Sequence, residues 1–186
     1  SIAKAAGDWH DTGKLDPRFQ EMLRANAPAG DNAKPLAKSP DKPRSREQAK
    51  GIREASGLPD DFRHEMLSVQ LAERFCEAGL SREDRELLLH LIASHHGHAR
   101  PFAPVCEDDS PPAIAGQLDC GGLDLSAEER RAWTAPHCLD SGMADRFWSL
   151  TRRYGWWGLA YREAILRLAD WYASEYPETT EKTAQP

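Results

Sequence analysis

The sequence has no CxxC pair, no apolar run near the roughly 18 residues a membrane helix needs, and no visible signal peptide. It also lacks an excess of positive charge. Its 24 basic and 30 acidic residues leave a net charge of −6, which excludes a uniformly basic nucleic-acid coat protein while leaving room for a local basic patch. No alternating β pattern of convincing length and no internal repeat is evident. The four cysteines, at 76, 106, 120 and 138, do not form a disulfide framework for 186 residues, so a reducing, cytoplasmic setting is expected. Cys106, Cys120, His137 and Cys138 could be drawn as a zinc site. Without a close cysteine pair, free thiols are the better expectation.

What remains suits one all-α domain with a real core. Ile2, Ala5, Ala6 and Trp9 recur at helical spacing, and the pattern runs to Gly13. Because that pattern is already running at residue 2, and Ser1 is not a start methionine, the chain reads as a piece of a longer protein. Asp16-Pro17 has the N-cap and N1 chemistry of a second, short helix. Residues 26–56 read as a loop insertion. Within 34–53 lie seven bases against two acids, a local +5, which fits either a solvated linker or a flexible phosphate-contacting arm. Strong helices are expected over 60–77, capped by Asp60 or Asp61, and over 82–96. Weaker ones are expected at about 126–134 and 141–153. A last long helix over 156–175 is expected to pack Trp157, Ala160, Tyr161, Ala164, Ile165, Leu168 and Tyr172 inward. The domain then covers 1–176, and the polar tail 177–186 is expected to be disordered.

The chemistry concentrates on a few buried faces. His10-Asp11, His64, His95-His96 and Asp170 each lie on or beside an apolar helical stripe. A lone histidine there is ordinarily a hydrogen-bonded core residue, and His64 alone reads that way. Asp170 is harder to accommodate, because a carboxylate within an apolar helix needs a partner: Arg167, a helix end or a metal. Consecutive helix residues point about 100° apart, so His-Asp and His-His pairs share one cavity only near a helix end. Imidazoles with carboxylates and no thiolates suit Mn, Fe, Co, Ni or Zn. Asp11 could bridge two ions, and Lys14 could neutralise phosphate charge or simply face solvent.

His10-Asp11-Thr12-Gly13-Lys14 resembles the HDxGK signature of the HD-domain metal phosphohydrolases. The ordered series "WHDTGKLDPRFQEML", "RHEMLSVQLAERF", "ASHHGHARPF" and "YGWWGLAYREAILRLADW" is more specific. It resembles the HD nuclease domain of the CRISPR-associated helicase-nuclease of type I systems, in the variants where this domain follows the helicase. The resemblance implies an HD-domain helical bundle around a metal site, one or two divalent ions, and cleavage of single-stranded DNA displaced by a guide-RNA surveillance complex. It implies His10, Asp11, His64, His95, His96 and Asp170 as metal ligands, with Asp11 and Lys14 catalytic. Ser94 and Ser174 match flanking positions without a ligand role. The implied partners are single-stranded DNA, a helicase domain and the surveillance complex, with no membrane.

The family pattern includes a further histidine on a helix before the HD motif, and the nine residues before His10 contain none. One of the two metal positions is therefore expected to be weakened. Strand contacts are expected from Lys34, Lys38, Lys42, Arg44, Arg46, Arg100, Arg152 and Arg153. Two other readings stay open: a nucleotide phosphohydrolase with the same metal cluster, and an inactive docking module.

Overall fold

The computed structural model describes residues 1–25, 34–41, 43–76, 79–118 and 121–176. Among the described residues, seven α-helices and one two-stranded antiparallel sheet carry the fold, so the all-α bundle expected from the sequence is what forms. Residues 26–33, Lys42, Cys120 and 177–186, on which parts of the expected insertion, basic arm, zinc drawing and tail fall, lie outside the described residues.

Helix α5 (Arg82–Ser94) is the centre of the bundle. Eight consecutive residues, Leu87 to Ser94, are buried, as expected of a helix packed on all sides. Around it lie α1 (Ile2–Trp9), α4 (His64–Phe75) and α7 (Met143–Glu175). Ser81 caps α5 by accepting from the Asp84 backbone N–H. Helix α4 starts at His64 rather than near Asp60, with Arg63 in an extended conformation before it and no side-chain cap. Asp61 cannot begin the helix because its φ is +53°.

Helix α1 stops at Trp9, earlier than its apolar period implies. A short 3-10 turn, Thr12–Leu15, follows. Asp16 then caps α2 (Pro17–Arg24), accepting from the Arg18 N–H at 3.0 Å. The basic segment read as a loop contains α3 (Arg46–Ala55), capped by Ser45 and without a single buried residue. Its lack of an apolar core face hid it from a periodicity argument.

Strands β1 (Ile114–Leu118) and β2 (Gly121–Leu125) form an antiparallel hairpin, with Ile114 opposite Leu125 and Gly116 opposite Leu123. They were missed because only Ile114, Leu123 and Leu125 are buried, too few for a visible alternation. A Cβ at Gly116 would stand 3.1 Å from a Leu15 methyl, so the hairpin braces the turn that follows the HD motif. Helix α6 (Ala127–Arg131) has a full capping box between Ser126 and Glu129.

Helix α7 breaks at Gly155 (φ +68°, ψ 166°), between the two helices the sequence suggests. Its buried face corrects the sequence reading. Leu159, Glu163 and Leu166 point inward. Trp157 is 89% exposed, Tyr161 68% and Leu168 59%, and Ile165 and Tyr172 are exposed with them; so are Ala160 and Ala164. Both stripes have helical spacing, and the buried side of α7 is the less apolar one. No described helix is long and apolar enough to cross a membrane.

Candidate metal centre

The breaks in the helices create the site. His10 is the C-cap of α1, and Asp11 sits next to it at φ −104°, ψ 0° as the chain turns into the 3-10 segment. Leaving helical phase here lets adjacent residues face the same cavity. The same device operates at His95, the C-cap of α5, with His96 in the turn beyond and Gly97 at φ +91° reversing the chain.

Gly13 is the residue that brings the two halves together. A Cβ there would stand 2.0 Å from the His64 carbonyl oxygen, so only glycine allows this approach of the HD turn to α4. The Gly13 N–H donates to Ser68 Oγ at 2.8 Å, one turn beyond His64. The turn is thereby registered against the helix that carries the third histidine.

Six ligand-type side chains converge in two triads. His64, His95 and His96 bring one nitrogen each within 4.8 Å of one another, and His10, Asp11 and Asp170 do the same with a nitrogen and two carboxylate oxygens. Asp11 joins them: Oδ1 lies 3.1 Å from His64 Nε2 and Oδ2 3.5 Å from His10 Nε2. Asp170 Oδ1 lies 3.5 Å from His10 Nε2. All six residues singled out as ligands in the sequence are therefore together. Among the described residues no thiolate joins a cluster of this kind, and Cys106 and Cys138 are free thiols.

Two rings are held in a defined orientation. His10 Nδ1 is 2.7 Å from the Gly7 carbonyl and His95 Nδ1 is 2.7 Å from the Ile92 carbonyl. Those contacts make Nδ1 the protonated nitrogen and leave Nε2 as a lone pair. Burial pushes the His95 pKa down to about 3, so that ring is neutral at ordinary pH. Burial opposes ionisation of Asp11, but the His64 contact, His10 and Lys14 together outweigh it and hold the carboxyl below the usual range.

The Nε2 atoms of His10, His64 and His95 are buried and make no hydrogen bond. The 3.1 Å approach of His64 to Asp11 is an ion-pair contact without hydrogen-bond alignment. Three orphaned imidazole nitrogens around two carboxylates would be costly as a finished polar network. They fit a divalent transition-metal ion, whose ligands these donor types are.

Lys14 donates to Asp11 Oδ2 at 2.7 Å and to the Ala37 carbonyl at 3.2 Å. It is thus a partner of the bridging carboxylate and not a solvent-facing lysine. Gln20 clamps the adjoining strand of loop, donating to the Leu36 and Lys14 carbonyls and accepting from the Leu36 N–H. Sequence reasoning missed Gln20, because a buried glutamine on a short polar helix carries no local signal. An open groove of about 210 Å³, lined by Asp11, Lys14, Gln20, Leu36 and Ala37, leads away from the carboxylate.

None of the described basic residues expected to contact the strand lines this groove. Lys34, Lys38, Arg44, Arg46 and Arg152 are exposed. Arg100 pairs with Glu163 and Arg153 with Glu83, each at 2.5 Å. Ser94 is buried and Ser174 exposed.

No curated protein and no solved structure matches the chain. The family described as "Cas3, HD domain" matches residues 4–177. With the ligand series in its expected order and the HD turn, α4, the α5 end and α7 meeting at one cavity, the chain belongs to the Cas3 HD domain family and is an HD-type hydrolase domain.

Proposed function

We propose that the chain is a metal-dependent nuclease that hydrolyses phosphodiester bonds of single-stranded DNA in type I CRISPR interference. The observation that carries this reading is the meeting of two ligand-type triads at Asp11, with three buried histidine nitrogens left without hydrogen bonds. One or two ions of the Mn, Fe, Co, Ni or Zn class would be held by His64, His95 and His96 and by His10, Asp11 and Asp170. Such a cation supplies Lewis acidity toward water and toward a phosphoryl oxygen.

The chain's own groups do the rest. Asp11, ionised and shared between the triads, fixes their separation. The neutral ring of His95 presents its Nε2 lone pair without first losing a proton, and the Gly7 carbonyl orients the His10 ring with Nε2 toward the carboxylates. Lys14 steadies Asp11 and adds positive charge where a phosphate would approach. The groove beside Lys14 is open, which suits a polymer passing through better than a closed nucleoside pocket. The net charge of −6 offers little general attraction for DNA. Delivery of the strand therefore falls to a helicase domain and a guide-RNA surveillance complex, and the exposed Lys34, Lys38, Arg44, Arg46 and Arg152 supply only local contacts. The reducing cytoplasm is the compartment this role requires.

The test is cleavage of circular single-stranded DNA with Mn²⁺ or Ni²⁺, beside Asp11→Ala. Cleavage lost in the variant is the expected result, and it would also establish endonuclease action. Hydrolysis of free nucleotides with intact DNA would instead indicate a nucleotide phosphohydrolase. No hydrolysis of either, with Asp11→Ala indistinguishable, would leave a docking module.

A further inference from the structure

Glu65 is a buried carboxylate that the reading above does not use. It is 1% exposed, and its Oε1 has no hydrogen-bond partner. Its Oε2 lies 3.6 Å from Nδ1 of His64. An ionisable group buried with so little compensation is costly unless a nearby positive charge offsets it.

The position of His64 explains what Glu65 is for. His10 and His95 each anchor Nδ1 on the carbonyl three residues earlier, Gly7 and Ile92. His64 opens α4, so no preceding helical turn offers its ring such a carbonyl. The residue three earlier is Asp61, whose φ of +53° takes it out of helical geometry. The acidic group beside His64 Nδ1 is Glu65, and the opposite nitrogen of the ring faces Asp11 at 3.1 Å.

We propose that Glu65 is a positioning residue for the metal centre: its carboxylate selects the Nδ1-protonated tautomer of His64, turns Nε2 toward the cation, and contributes negative charge that balances the cation. This rests on the metal reading above and adds a residue to it. A carboxylate behind a ligating histidine orients the ring and raises its basicity, and loss of such a partner costs about 10- to 100-fold in metal affinity.

The experiment is Co²⁺ titration of the full chain by calorimetry, for wild type, Glu65→Gln and Glu65→Ala, with ¹H–¹⁵N correlation of the His64 ring. Affinity is expected to fall about 10-fold in Glu65→Gln, which keeps an acceptor but loses the charge, and toward 100-fold in Glu65→Ala. The His64 ring should be a single Nδ1–H tautomer in wild type and a mixture in Glu65→Ala. A merely structural role, such as a negative charge at the start of α4, would shift the melting temperature while leaving the tautomer alone. Wild-type Co²⁺ affinity in both variants would overturn the proposal and leave the metal reading standing. Failure of the wild type itself to bind Co²⁺, Mn²⁺ or Ni²⁺ would overturn both. If Glu65→Ala does not fold, the isosteric Glu65→Gln decides the matter.

Discussion

Asp11 Oδ1 lies 3.1 Å from His64 Nε2, across the junction between the HD turn and α4. Fifty-three residues separate the two in sequence, and the contact exists only because Gly13 lets the turn rest on the His64 carbonyl. The two halves of the ligand set depend on one missing side chain.

Gly13→Ala should therefore damage both stability and site. The new methyl collides with backbone, which cannot swing aside as a side-chain tip can. A loss of at least about 2 kcal/mol in unfolding free energy is expected. Metal affinity should fall with it, although no ligand has been altered. Denaturant unfolding and Co²⁺ titration of the same preparation check both.

Asp11→Asn keeps the shape of the bridge and removes its charge. Both histidine contacts and the Lys14 ion pair lose their partner. Metal-dependent hydrolysis should drop by more than the roughly 100-fold typical of an outer partner. Single-turnover cleavage with Mn²⁺ measures it.

The 186-residue chain should bind one divalent ion tightly and a second weakly, because the two ligand-type triads differ: one is three imidazoles with His64 and His95 buried, and the other, His10, Asp11 and Asp170, is partly open to solvent throughout. Metal analysis after gel filtration should return close to one ion per chain. Two retained ions would contradict this.

The network under the HD turn sets acid stability. Asp16 is fully buried, paired with Arg18 and Arg130 at 2.9 Å each, and Arg18 continues to Asp108 at 2.7 Å. Burial opposes its ionisation, but the Arg18 hydrogen bond and the two guanidinium charges more than reverse that and lower its pKa. A depressed carboxyl contributes stability that is present above its unfolded pKa, about 4, and is lost as pH falls through the folded value. The melting temperature of wild type should decline below about pH 4, whereas Asp16→Asn should lack that part of the decline. At neutral pH, Asp16→Ala should cost about 3–5 kcal/mol by stranding buried Arg130.

The inward face of α7 separates two kinds of leucine. Leu166→Ala should cost about 2–4 kcal/mol, because Leu166 is buried. Leu168→Ala, two residues on and 59% exposed, should stay within about 0.5 kcal/mol. Urea unfolding of the pair tests the orientation of the helix directly.

Much of this protein was readable from its residues alone. The order His-Asp, His, His-His-Gly, Asp, each on or beside a helical apolar run, marked all six ligand candidates and the helical class. Asp16-Pro17 and Ser81 announced their helices, because caps and N1 prolines act locally. Helix α3 and the hairpin escaped because burial there is thin, and periodicity reports only buried faces. Tertiary structure alone decided which stripe of α7 is covered, since two stripes of one helix share a period and only the packed neighbours choose between them. It also decided that Lys14 holds Asp11, that Arg100 and Arg153 are committed to ion pairs, and that Glu65 stands behind His64. The Arg100 and Arg153 pairs join segments far apart in the chain, and the Lys14 and Glu65 roles depend on side-chain directions that the HD turn and the start of α4 take only when packed together.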